Sequence, residues 1–278
     1  DGEVKLRKRP HAQGIAADLE IVRAMIREGL VRKARERLEE LATKHPTNAE
    51  VHALLGRCVL LLSDHVTAAK HARQALTLDP GNPEARVVLG TCLTWRGDHG
   101  KAMKEFLKVP ESAEQYYEAR VRYYWLKHSR VRGREREEVL SALRELRSAV
   151  SGVEEYSPGL RAYLEGLVCS ALGEYDEAVR LFTKAVESGW SAEAFNNRGL
   201  VFSIIYEFSS AVEDFSRAIE LDPQYAEAFH NRGAVWMTKH NPDLAIPNFS
   251  RAIELNPEYA EAFRNRGAVW LEKYEWDK

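Results

Sequence analysis

Ala192-Glu-Ala-Phe-Asn-Asn-Arg-Gly199 returns with one change as Ala226-Glu-Ala-Phe-His-Asn-Arg-Gly233 and again as Ala260-Glu-Ala-Phe-Arg-Asn-Arg-Gly267, each copy 34 residues after the last. A fixed period of that size marks an array of helical repeats, in which each unit buries its apolar face only against its neighbours. Within the first copy, a helix through about Ile205 puts Phe195, Gly199 and Phe202 on one face, at i, i+4 and i+7. A break at Tyr206-Glu207 leads into a second helix with Ala211, Phe215, Ala218 and Ile219 on its inner side. Asp222-Pro223 stops that helix, because proline disfavours a helical residue before it. The unit is a helix hairpin whose small residues let the axes approach to about 8–10 Å.

An aromatic, glycine four residues on, a second aromatic three beyond, then alanine, a large residue, alanine and proline in the next helix: this pattern resembles the tetratricopeptide repeat. The register extends upstream through Gly56, Ala68, Ala75 and Pro80, through Gly90, Ala102 and Phe106, and through a weaker unit with Ala34, Leu38, Leu41 and Pro46. Another unit carries Gly166, Tyr175, Ala178, Phe182 and Ala185 and ends at Trp190, where proline is usual. The resemblance implies an all-α, right-handed α-solenoid of about seven repeats and a partial last one, a single array over residues 1–278. The repeats are expected at 15–48, 49–82, 83–111, 159–191, 192–225 and 226–259, with a degenerate hairpin at 112–158 and a partial unit at 260–278.

Three departures stand out. The degenerate hairpin reads as a helix of about 17 residues by its apolar periodicity, an Arg-Val-Arg-Gly break, and a helix carrying Val139, Leu143 and Leu146. Pro247 falls inside a second helix, where a missing donor predicts a kink or a late start. Tyr274-Glu-Trp-Asp-Lys278 reads as the opening of an unfinished second helix, so either the protein continues or this uncapped end pairs with something, self-association included.

Composition narrows the function classes. Charged residues make up 29% of the chain and the formal net charge is −2, so nothing pulls the whole molecule towards nucleic acid or membrane. The longest aliphatic run, Val59 to Leu62, is far short of the roughly 20 residues a membrane helix needs. Cys58 and Cys92 share a repeat position and Cys169 stands alone, a pattern of small buried residues in a reducing, cytoplasmic setting. No phosphate loop, nucleophile elbow, HExxH pair or dinucleotide turn is present, and no metal-ligand spacing, so no catalytic residue, metal or cofactor is assigned. The expectation is a non-enzymatic scaffold for protein interactions, or the regulatory or assembly segment of a larger protein or enzyme.

The first helices of tetratricopeptide arrays line a concave face, which directs attention to the residues there. Asn197, Asn231 and Asn265 repeat at the period, and an amide row can hold a peptide backbone without reading its sequence; it can equally bond to neighbouring repeats or water. The row is similar to the asparagine ladder of the O-linked N-acetylglucosamine transferase superhelix, and His230 and Arg264 lie beside it. Upstream, Leu54, Leu60, Leu61, Val87, Val88, Trp95, Tyr163, Leu164 and Leu167 suggest a groove for a partner's helix or apolar tail, or packing, or burial under the chain's own N-terminal segment. The carboxylate clamp for heat-shock chaperone tails is disfavoured, because Glu193, Glu227 and Glu261 occupy a clamp lysine position; a basic or neutral peptide suits better.

Arg198, Arg232 and Arg266 stand where the family commonly has leucine, and pairing with an acidic second-helix residue such as Asp214 accounts for them. A last cluster, Arg120, Lys127, Arg130, Arg132 and Arg134 among the tyrosines of residues 116–124, offers a lesser alternative, polyanion or nucleic-acid binding. Glu118, Glu135, Glu137 and Glu138 dilute its charge, and Lys5-Leu6-Arg7-Lys8-Arg9 reads as a solvated tail that could join it.

Overall fold

The computed structural model describes residues 14–189 and 192–276, so the basic stretch Lys5 to Arg9, Trp190 and the final Asp277-Lys278 lie outside the described residues. Fifteen α-helices and no strand are found among the described residues. They pair in chain order as α1 (Ile15–Arg27) with α2 (Val31–Lys44), α3 (Ala49–Leu61) with α4 (His65–Leu78), and α5 (Pro83–Trp95) with α6 (His99–Leu107). Next come α7 (Tyr116–His128) with α8 (Gly133–Ser151) and α9 (Pro158–Leu172) with α10 (Tyr175–Glu187). The echoing octapeptides open α11 (Ala192–Ile204), which pairs with α12 (Phe208–Leu221), α13 (Ala226–Thr238), which pairs with α14 (Pro242–Leu255), and α15 (Ala260–Trp276). The molecule is an all-α solenoid of stacked hairpins.

Local chemistry sets where each helix starts and stops. Asn48, Asn82, Ser157 and Asn241 cap α3, α5, α9 and α14 by accepting the backbone N–H three residues on, at 2.9–3.2 Å, and three of these caps precede a proline at the first helical position. In six of the seven hairpins, all but that of α7 and α8, the first helix ends in a residue of positive φ: Gly29, Ser63, Gly97, Gly173, Tyr206 and His240. At each, the following N–H reaches back to the carbonyl five residues earlier, as Glu207 N does to Phe202 O at 2.8 Å. This tight stop turns the chain back on itself and makes the hairpin.

The core repeats one contact. Gly90, Gly166, Gly199 and Gly233 on first helices face the fully buried rings of Phe106, Phe182, Phe215 and Phe249 on second helices. A Cβ at these glycines would lie 2.5–3.0 Å from the ring, so the ring sits where only a hydrogen leaves room. Cys58, Cys92 and Cys169 are free and buried.

The structure revises three local expectations. The first helix of the degenerate hairpin is 13 residues rather than about 17, because Pro110 to Gln115 form turns, with Ala113 N on Pro110 O and Tyr116 N on Ala113 O. Helix α14 starts at Pro242 under the Asn241 cap and runs through Pro247 without a late start. Residues 274–276 prolong α15 instead of opening a second helix.

Odd-numbered helices neighbour one another along the inner side of the array, whereas even-numbered helices pack only against odd ones. The array also closes on itself. Trp95 Nε1 donates to Asp222 Oδ2 at 2.7 Å across 127 residues, and His65 Nδ1 lies 2.9 Å from the same oxygen. The His65 and Trp95 rings stack at 4.7 Å and Tyr225 covers them. One repeat further on, Asn256, which is 34 residues after Asp222, donates to the Arg96 carbonyl. This seam joins the turns of the second and third hairpins to those of the sixth and seventh.

Candidate functional site: the inner face and its cavity

A chain of buried charges crosses the inner face. Arg57 of α3 donates to both oxygens of Glu118 on α7, at 3.0 and 2.9 Å, and its Nε donates to Glu84 of α5. Glu118 also accepts from Arg122 Nε at 3.1 Å, and Arg122 reaches Glu193 of α11 at 3.4–3.5 Å. Gln115 donates to the second oxygen of Glu84, and the Tyr156 hydroxyl accepts from the Glu118 backbone N–H. Burial alone would push the Glu118 carboxyl up, but Arg57 and Arg122 outweigh it and hold it below its ordinary value. Burial would likewise lower the Arg57 guanidinium, and Glu118 and Glu84 reverse the sign. Arg57, Arg122 and Glu118 therefore stay charged, and the network divides the inner face in two.

On the N-terminal side lies a cavity of about 380 Å³. Ile26, Val31, Leu54 and Leu61 form one wall and Pro158, Gly159 and Leu160 at the start of α9 form the other. Ile26, Val31, Leu61 and Leu160 remain only partly buried, an unusual state for aliphatic side chains inside a fold. The floor is Arg57 with its glutamates, and Glu114 and Glu155 stand at the mouth. Burial first, then Glu84 and Glu155, push the Glu114 carboxyl up. A space of this size between apolar walls, with a few converging polar groups, has the form of a binding pocket.

On the C-terminal side the inner face is nearly filled by its own side chains. Asn197 is buried and donates to the Tyr163 hydroxyl at 3.2 Å and to the Glu193 carbonyl at 2.9 Å. Asn265 donates to His230 Nε2 at 3.1 Å, His230 Nδ1 contacts Asn231 Oδ1 at 3.3 Å, and Asn231 donates to Asn196 at 3.0 Å. His230 lies between Phe249 and Tyr259, and burial lowers its pKa. The asparagine row thus links repeat to repeat. Arg264 is exposed on α15. Trp95, read from the sequence as groove-lining, is taken up in the seam, and Tyr163, Leu164 and Leu167 are core residues packed with Val121 and Phe182, each at most 3% exposed. Of the apolar positions singled out in the sequence, Leu54 and Leu61 line the cavity.

The arginine-rich hairpin is likewise engaged. Arg120 donates to the Phe106 and Val109 carbonyls at the end of α6 and lies over the Tyr116 ring. Lys127 pairs with Glu135, Arg134 with Glu138, and Arg132 bonds to the Ser129 and Val131 carbonyls. Arg130 donates to the Leu126 carbonyl and to His99 Nδ1, and burial together with Arg130 brings the His99 pKa down to about 4. Outside this hairpin, Arg198 grips Asp214 with two bonds of 2.7 and 2.8 Å; its echo Arg232 meets Asn248 instead, and Arg266 meets Ser250.

Glu227 is a buried carboxyl with no cationic partner at hydrogen-bond distance among the described residues. Burial, then Glu193 and Glu261, push its pKa from 4.5 to about 8. The folded chain keeps a proton there that the unfolded chain releases above about 4.5, so this contribution to stability is complete below that pH and is lost as pH rises through 8. Glu227→Gln is expected to flatten the decline between pH 6 and 9 and to leave the protein more stable at pH 9, by on the order of 1–2 kcal/mol, in urea denaturation. Parallel curves for the two proteins would show that the carboxyl ionises without cost in the fold. The four histidines with lowered pKa, His71, His99, His128 and His230, act in a separate window, since they cost stability only as pH falls below about 6.5.

No metal-binding group of histidine, cysteine and carboxylate side chains occurs among the described residues, and no described helix is long and apolar enough to cross a membrane. Models of the tetratricopeptide repeat match residues 19–83, 60–122, 162–188, 207–239 and 237–278, together well over half of the chain. Sperm-associated antigen 1 of Mus musculus is 41% identical over 51 residues, which is 18% of this chain and 6% of that protein. Among solved structures, a tetratricopeptide repeat protein from Parabacteroides merdae aligns with 91% of this chain and 98% of its own at 16% identity, with a TM-score of 0.51. The Cut9-Hcn1 hetero-tetramer of the APC/C aligns with 89% of this chain and 48% of its own at 15% identity, again at 0.51. This chain spans about half of the latter and a small part of the mouse protein. Repeating glycine-ring contacts, a 34-residue register and family models spread along the sequence make the chain a member of the tetratricopeptide repeat family.

Proposed function

We propose that this protein is a non-enzymatic interaction scaffold that takes a segment of a partner protein into the cavity between α1, α3 and α9. The observation that carries the reading is four aliphatic side chains, Ile26, Val31, Leu61 and Leu160, left partly exposed inside a cavity of about 380 Å³. Apolar surface held inside a solenoid and uncovered by the described residues gains free energy when a partner's side chains cover it, about 25 cal/mol per Å². In this reading the asparagine row holds the inner wall together, and the cavity does the binding. It applies equally to a scaffold acting alone and to the interaction segment of a longer protein.

The test is affinity capture with the protein and with Leu61→Asp/Leu160→Asp, whose fold is checked by circular dichroism. Partners held by the parent protein are expected to fall at least about tenfold with the double variant, as a charge is placed against each apolar contact. Asn231→Ala/Asn265→Ala is expected to keep them. Equal capture by the aspartate variant would remove the cavity as the site, and loss confined to the asparagine variant would move it to the C-terminal repeats.

A further inference from the structure

The cavity carries more information than its apolar walls. Its charges do not cancel. Arg57 is spent on Glu118 and Glu84, and Arg23 is spent on Glu20 and Glu50. Arg27 is exposed at the end of α1 with Glu28 beside it. Glu114 and Glu155 line the cavity with no ion pair among the described residues; burial, Glu84 and Glu155 disfavour ionisation of Glu114, and Arg23 and Arg27 oppose them without reversing the upward shift. Carboxylates that repel one another at the edge of a partly dehydrated space are relieved by a cation, and anions are repelled.

The layout of the two surfaces adds a geometric requirement. Aliphatic side chains form the facing walls, and the carboxylates sit on the α7 side, in the turn before α7 and in the turn before α9. A lysine or arginine side chain has matching anatomy, an aliphatic stem with a charged head, and a flanking leucine-like residue would fill the remaining wall. We propose that the occupant is a partner's segment in which an arginine or lysine is flanked by aliphatic residues, its cation seated between Glu114 and Glu155 and its apolar neighbours against Ile26, Leu61 and Leu160. This rests on the cavity being the binding site and adds the chemistry that selects the partner. The selective contact is then distinct from Glu193, Glu227 and Glu261, none of which lines the cavity. Glu193 is neutralised by Arg122, and Glu227 holds its proton.

Two capped synthetic hexapeptides test this by calorimetry on the whole chain: Ala-Leu-Arg-Leu-Ala-Ala, and the same sequence with citrulline, which keeps the shape of arginine without its charge. The arginine peptide is expected to bind about tenfold or more tightly, the usual gain from a charge-assisted hydrogen bond, and to weaken with salt. In Glu114→Gln/Glu155→Gln, which leaves the buried network intact, the two peptides are expected to bind alike. Equal affinities for the parent protein, an arginine preference that survives the double variant, or binding by neither peptide overturns the proposal. If both peptides bind alike and Leu61→Asp/Leu160→Asp abolishes both, the cavity remains the site while the selectivity for a cation falls. Binding that appears only after removal of residues 1–13 would assign the cavity to the chain's own stretch Lys5 to Arg9 and overturn the assignment to a partner.

Discussion

Replacing Glu118 by alanine is expected to cost about 3–5 kcal/mol of folding free energy, a large share of what holds a domain together. The carboxylate is 1% exposed and accepts three hydrogen bonds from two guanidinium groups that are themselves buried. Its removal leaves Arg57 with Glu84 and Arg122 with a long contact to Glu193, and three guanidinium N–H groups lose their acceptor inside the fold. The cost is that of buried donors left unsatisfied, so removing Arg57 together with Glu118 is expected to recover part of it. Arg57→Met/Glu118→Leu takes out one cation and one anion, keeps the Arg122 pair with Glu193, and leaves Glu84 bonded to Gln115. Urea denaturation of the parent, the single variant and the double variant separates the two effects. A loss below about 1 kcal/mol for Glu118→Ala would mean that water reaches the guanidinium groups and that the network is a surface feature.

The packing of this protein is written in its period. The octapeptides mark the repeat glycine, and its ring stands 16 residues on each time, as in Gly90 with Phe106 and Gly166 with Phe182; Arg198 and Asp214 pair at the same spacing. These contacts lie within a hairpin or between consecutive hairpins, where one local pattern decides which side chains meet. The seam is different in kind. Trp95 and Asp222 meet because small rotations add up over four hairpins, and a period is silent about their sum. From the sequence, Trp95 suits a groove, packing or burial alike, and its indole is hydrogen bonded to Asp222 on the far side of the array.

The candidate site was legible only in part for the same reason. Leu54 and Leu61 were visible as apolar first-helix positions, whereas the opposite wall, Pro158 to Leu160, arrives from more than 90 residues away. The glutamates were harder still, since Glu118 counted only as charge diluting a basic hairpin, and its partner Arg57 is 61 residues off. One local signal did exist. Arg57 sits in α3, the most apolar helix among the described residues, and an arginine there must bring a carboxylate inside with it. The asparagine row was legible as a pattern and ambiguous as chemistry, because an amide that can hold a ligand can equally hold the next helix.

Gly90→Ala is expected to destabilise the protein by about 2–3 kcal/mol, while the same substitution at Gly267 stabilises it by up to about 1 kcal/mol. The two glycines occupy the same place in the repeat, so intrinsic helix propensity favours alanine equally at both. What differs is the neighbour. At Gly90 a Cβ would lie 2.5 Å from Cε1 and 2.9 Å from two further carbons of Phe106, a ring with no exposed surface to move into. At Gly166 and Gly199 the closest approach is 2.8 Å, and at Gly233 it is 3.0 Å, so the penalty should fall in that order. Gly56 faces a carbonyl at 3.3 Å, because Ala72 stands where the later repeats have phenylalanine, and its substitution should lie near zero. At Gly267 nothing lies within 4 Å, which leaves the propensity gain unopposed. Thermal or urea unfolding of the six single variants measures the series. A flat result, with Gly90→Ala no worse than Gly267→Ala, would mean that the phenylalanine rings yield, and that hairpin spacing is set by the alanines of the second helices instead of by the glycine-ring contact.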